Sequence, residues 1–78
     1  MTNRRCDLSN KICQKIRLER LKRKLTQEQL AEKADLSRPS IGKIERAEVS
    51  PTIDTIERIA KVFGMSFLDL VDVTKFDL

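Results

Sequence analysis

The sequence has no histidine, and only two cysteines, two glycines and two prolines among its 78 residues. Each shortage removes a class of chemistry or of structure. Without histidine, the thiols of Cys6 and Cys13 cannot complete a four-ligand zinc site within one chain, so no metal is expected. The chain also lacks a glycine-rich phosphate loop. Acidic residues such as Glu28, Glu32, Glu45 and Glu57 stand beside basic neighbours on helix surfaces, and so short a chain leaves no room for a deep pocket. No catalysis, no cofactor and no small-molecule substrate are therefore expected. No apolar run approaches the roughly 20 residues of a membrane span. Arg4, Arg5 and Asp7 occupy the stretch where the apolar part of a signal peptide would begin, which points to a soluble protein in a reducing, cytoplasmic compartment. Cys13 then reads as a small apolar filler. With so few breakers, and neither alternating apolar residues nor β-branched clusters between turns, the expected fold class is all-α.

The length suits one domain over 1–78 with one modest core, because a chain of this size buries only about 60% of the surface its unfolded form exposes. The formal charge is +4, a mild bias toward polyanions, and its distribution is more informative. Arg4, Arg5, Lys11, Lys15, Arg17, Arg20, Lys22, Arg23 and Lys24 face only Asp7 and Glu19 in the first third. Near the end, Lys75 faces Asp69, Asp72 and Asp77. The chain is basic in front and slightly acidic behind.

Helical spacing predicts five helices. Leu8, Ile12 and Ile16, joined by Leu21, describe one apolar stripe on a basic helix over about 8–24, with Asp7 or Ser9 able to cap its start. Thr26-Gln27-Glu28-Gln29 reads as a capping box opening a helix over about 27–34, with Leu30, Ala31 and Ala34 on one face. Asp35 can adopt the left-handed conformation of a tight turn. Ser37 is a good N-cap and Pro39 falls in the first turn of a helix over about 38–46. Thr52 caps a fourth, about 53–63, carrying Ile53, Ile56, Ile59, Ala60 and Phe63, which Gly64 ends. Ser66 caps a short last helix, about 67–72.

The informative unit is QEQLAEKADLSRPSIGKIER, from Gln27 to Arg46. Two helices joined by so few residues cross steeply, and Ala31 is small enough for the crossing point. Leu36, Ile41 and Ile44 lock the second helix on the first, leaving a polar face that fits the major groove, about 12 Å wide. A plain helical hairpin in a small bundle has the same pattern. With IRLERLKRKLTQEQLAEKADLS, SIGKIER and SPTIDTIERIAKVFGMSFLDL, however, the chain resembles the lambda-repressor-like, Xre-type helix-turn-helix family from about Ile12 to Leu70.

That resemblance implies a compact five-helix domain that binds double-stranded operator DNA and controls transcription. It implies that Gln27 grips a phosphate, and that Ser37, Arg38, Pro39 and Lys43 are presented to base edges. Arg38 and Lys43 can donate to guanine, whereas Pro39 offers van der Waals contact or serves the helix start. Ser40, Arg46 and Lys24 are further candidate phosphate contacts. Arg20 and Glu45 match a charged pair that ties the first helix to the third. The family usually has glycine at Lys24 and at Ala47, so the closure of those two helix ends is open. Leu18 lies off the first stripe, as a single surface leucine or part of a partner contact.

A core from Ile12, Ile16, Leu21, Leu30, Ala31, Leu36, Ile41, Ile44, Ile53, Ile56, Ile59 and Phe63 leaves Phe67, Leu70, Val71, Val73 and Phe76 crowded at one end. These five are expected to form a homodimer interface, which would hold the acidic tail away from DNA while the basic first helix faces phosphates and two recognition helices meet an inverted repeat. The alternative is an antitoxin or interaction module of the same fold whose main partner is a protein.

Overall fold

The structure is a computed structural model that describes residues 7–74, so Cys6 and Phe76 lie outside the described residues. It runs α1 (Asp7–Lys22), α2 (Gln27–Ala34), α3 (Arg38–Glu45), α4 (Ile53–Phe63) and α5 (Phe67–Val71), with no strand among those residues. Hydroxyls set four of the starts. The side chains of Thr26, Ser37, Thr52 and Ser66 accept the backbone N–H of Gln29, Ser40, Thr55 and Asp69 at 3.0, 3.2, 3.1 and 3.0 Å. Each satisfies one donor that a helix N-terminus leaves without an internal partner. Gln29 closes the capping box by accepting the N–H of Thr26 at 2.9 Å. Ser9 lies inside α1 rather than at its start, and its hydroxyl shares a hydrogen bond with Ser50.

The four longer helices end alike. Lys24, Asp35, Ala47 and Gly64 are left-handed, with φ of 57, 59, 58 and 70°. In each case the next residue's N–H reaches back to the first carbonyl of the last turn, as Leu25 to Arg20, Leu36 to Ala31, Glu48 to Lys43 and Met65 to Ala60. This is the Schellman closure, which satisfies carbonyls the helix cannot. Three of the four ends make it without glycine.

α2 and α3 pack on each other, and α1 lies across α3, α4 and α5. The core between them consists of Ile12, Cys13 and Ile16 from α1, Leu30, Ala31 and Ala34 from α2, Ile41 and Ile44 from α3, Ile56, Ile59, Ala60 and Phe63 from α4, and Leu70 from α5. Leu36 is half-buried against it. Three expectations are corrected. Leu21 is 45% exposed, because it lies five residues beyond Ile16 and so roughly 140° around the helix from it. The buried stripe instead continues through Glu19 and Arg20. Leu8 in the first turn of α1 and Ile53 in that of α4 lie at the rim of the core, and they are 53% and 72% exposed. The third concerns Leu70, which is fully buried in the chain's own core and cannot serve as an interface residue.

Long polar side chains tie the helix ends together. Lys15 Nζ donates to the carbonyls of Asp69 and Asp72, both at 2.6 Å, placing a cation at the C-terminus of α5. Arg23 donates to the Phe63 carbonyl at 2.9 Å, stacks 4.7 Å from that ring's centroid and pairs with Glu19 at 2.6 Å. Lys15 is thereby committed to the end of α5. Burial pushes the Glu19 carboxyl up, but hydrogen bonds from Arg23 and Lys22 and their charges outweigh it and hold Glu19 below the usual carboxylate value.

Candidate nucleic-acid interface

α3 has two contrasting faces. Ile41, Gly42, Ile44 and Glu45 are buried, while Arg38, Pro39, Ser40 and Lys43 are exposed together with Arg46 at the C-cap. Pro39, the second helical residue, occupies a position where no intrahelical donor is needed. Ser37 caps the helix, and its hydroxyl also lies 2.8 Å from that of Ser40. Both hydroxyls are thus engaged locally, whereas Arg38 and Lys43 extend from the exposed face.

The inner edge of this face is fixed by a buried carboxylate. Glu45 accepts Arg20 Nε at 2.6 Å and Nη2 at 2.9 Å, a bidentate pair whose side chains are only 2% and 9% exposed, respectively. The remaining Arg20 nitrogen donates to the Leu25 carbonyl at 2.7 Å. Gln27, the first residue of α2, donates its amide to Glu45 Oε1 at 3.1 Å. One carboxylate therefore joins the end of α1, the start of α2 and the end of α3. An amide nitrogen carries two hydrogens, so Gln27 keeps a second donor beside the N-terminus of α2.

Lys24 is exposed on the left-handed turn after α1. Arg46 is also exposed, but it is paired: its Nε donates to Glu48 Oε2 at 2.6 Å and its Nη2 lies 3.4 Å from Oε1. Glu48 belongs to none of the motifs the sequence displays. Its signal in the sequence is an acidic residue two places after Arg46, the cation at the C-cap of α3. Leu68, outside the apolar set expected at the end of the chain, is 73% exposed on α5. A further basic patch, Lys33, Arg58 and Lys61, borders an open depression of about 510 Å³ beside the α2–α3 turn. Arg58 is committed there to the Asp35 carbonyl at 3.2 Å and to Asp54 at 3.1 Å.

Two short helices closed by a left-handed Asp35, the second showing a polar convex face, form a helix-turn-helix, and the helix-turn-helix family profile matches residues 16–70. The chain belongs to that family, of the lambda-repressor-like, Xre type. Its members are transcriptional regulators rather than enzymes. This helix-turn-helix chain is 45% identical over 58 residues to the immunity repressor protein of Bacillus phage phi105, covering 74% of the chain but only 40% of that repressor. It is 44% identical over 62 residues to the control protein C.BamHI of Bacillus amyloliquefaciens, covering 78% of the chain and 76% of its relative. Its fold matches a variant of the restriction-modification controller protein C.Esp1396I with a TM-score of 0.80 at 34% identity, over 92% of this chain and all of the other. No helix among the described residues is long and apolar enough to cross a membrane.

Proposed function

We propose that the chain binds double-stranded DNA sequence-specifically as a homodimer on an inverted-repeat operator, and that it controls transcription there. The exposed face of α3 carries this reading: Arg38 and Lys43 project from a helix whose other side is locked into the core. In this arrangement Arg38 and Lys43 donate to base edges, Pro39 makes van der Waals contact, and Ser37 meets a base edge and Ser40 a phosphate by exchanging their mutual hydroxyl contact for one to DNA. Gln27, Lys24 and Arg46 meet phosphates on either side, and the Arg20–Glu45 pair holds Gln27 and α3 in register. The names of the relatives, a phage immunity repressor and a restriction control protein, support a role in switching genes.

For the homodimer, the supporting feature is Leu68, exposed on α5 with half-buried Phe67, Val71 and Val73 nearby in sequence. A two-fold contact there covers that leucine and allows two α3 helices to enter successive major grooves about 34 to 36 Å apart. Titration of Arg38→Ala, Lys43→Ala and Gln27→Ala against cognate and scrambled duplexes tests the assignment. The first two should each lose about 1 to 3 kcal/mol on the cognate site alone. Gln27→Ala should weaken both duplexes alike, and equal losses for Arg38→Ala would reject base reading. Sedimentation with and without duplex tests the dimer, which Leu68→Glu should dissociate; a strict monomer that binds half-sites without cooperativity would eliminate it.

A further inference from the structure

The four Schellman closures share a backbone, and three of them share a side-chain habit. Leu25, Leu36 and Met65, which follow the left-handed residues Lys24, Asp35 and Gly64, all pack half-buried against the core. Such an apolar contact is the common companion of this closure. At the end of α3 the equivalent residue is Glu48. It is turned outward, half of its side chain is exposed, and it holds the guanidinium of Arg46. That guanidinium lies over Gly42 of the recognition helix, so close that a β-carbon at Gly42 would stand 3.0 Å from Nη1. Glycine at this position leaves the space Arg46 occupies. Arg46 is thus folded along α3 and bound to a carboxylate, with Lys43, on the same helix, close enough for its charge to lower the Glu48 pKa as well.

We propose that Glu48 is a resident substitute for a DNA phosphate, which holds Arg46 until a backbone phosphate displaces it. This rests on the reading of Arg46 as a phosphate contact. A carboxylate and a phosphate offer a guanidinium the same bidentate acceptor geometry, so the two compete for one site. The pair is open to solvent, at 59% and 50% side-chain exposure, so exchange needs no unfolding. Phosphates occur in every sequence, so the competition weakens binding to operator and to arbitrary DNA by the same factor. Glu48 therefore sets the overall strength and salt dependence of binding, while the base-reading residues set the ratio between sites.

The test is anisotropy of a labelled mixed-sequence duplex, titrated across salt concentration with wild type, Glu48→Gln, Arg46→Ala and the double variant. Urea unfolding of each variant checks that the fold persists, as an exposed pair allows. Glu48→Gln should tighten binding about three- to fivefold at low salt, the upper range for an exposed ion pair, and steepen the salt slope by up to about one. Arg46→Ala should weaken binding, and the double variant should match Arg46→Ala alone. If Glu48→Gln tightens binding equally without Arg46, the carboxylate acts by general repulsion and the substitution idea fails. Failure of Glu48→Gln to tighten binding while Arg46→Ala weakens it would also overturn the proposal, leaving Arg46 as a phosphate contact. No effect of Arg46→Ala would remove the contact and the proposal together.

Discussion

Replacing Arg20 by methionine strands a carboxylate that the fold has taken out of water. Glu45 is 2% exposed at its side chain and accepts two hydrogen bonds from Arg20, leaving only the 3.1 Å bond from Gln27 once the guanidinium is gone. Removing one partner of such a pair costs about 3 to 5 kcal/mol, because the remaining charge is buried without compensation. A domain of this size has a total stability of about 4 to 12 kcal/mol, so the loss is a large share of it. Urea unfolding followed by far-ultraviolet circular dichroism measures this. With a slope of about 1 kcal/mol per molar, the midpoint should fall by about 3 to 5 M, leaving the variant partly unfolded without denaturant if the wild type sits at the lower end. The double replacement Arg20→Met with Glu45→Leu should lose much less than Arg20→Met alone, since two apolar side chains of similar volume close the gap and no charge is stranded. A single-variant loss under about 1 kcal/mol, or a double variant as damaged as the sum of the singles, would refute the view that this pair behaves as one buried unit.

Two further outcomes are expected. Lys24→Gly should stabilise the chain by about 0.5 to 1 kcal/mol, because an exposed lysine held at φ 57° carries a left-handed penalty that exceeds glycine's extra entropy in the unfolded state; thermal unfolding reads it, and a loss of stability would show that the lysine side chain contributes to closing α1. Glu19 has a lowered folded-state pKa, so its contribution is present above the ordinary glutamate value of about 4.3 and is lost as pH falls through the lower folded value. Glu19→Gln should flatten the decline of stability with acid in that window while leaving the pH dependence above it little changed; an unchanged acid profile would show that Arg23 and Lys22 do not favour the ionised form.

Local chemistry was legible along the chain because it depends on neighbours a few residues away. Thr26, Ser37, Thr52 and Ser66 announce helix starts, Gly64 and Asp35 announce ends, and the short spacing from Gln27 to Arg46 announces two helices that must cross. These signals fix the five helices to within a residue or two of their limits and bring Arg38, Pro39, Ser40 and Lys43 onto one exposed face. Only the tertiary structure decided which side of α1 is buried. Periodicity alone accepted Leu8 and Leu21, but crossing α3, α4 and α5 selected Cys13 and Ile16 and carried the stripe on through Glu19 and Arg20. It also decided which cations remain for a polyanion. Counting places Lys15, Arg20 and Arg23 in the basic front of the molecule, yet each is committed to a carbonyl or carboxylate elsewhere in the chain. Charge can be counted from the sequence, but whether a charge is available depends on acceptors brought near it by packing, some of them more than 40 residues away, as Asp72 is from Lys15.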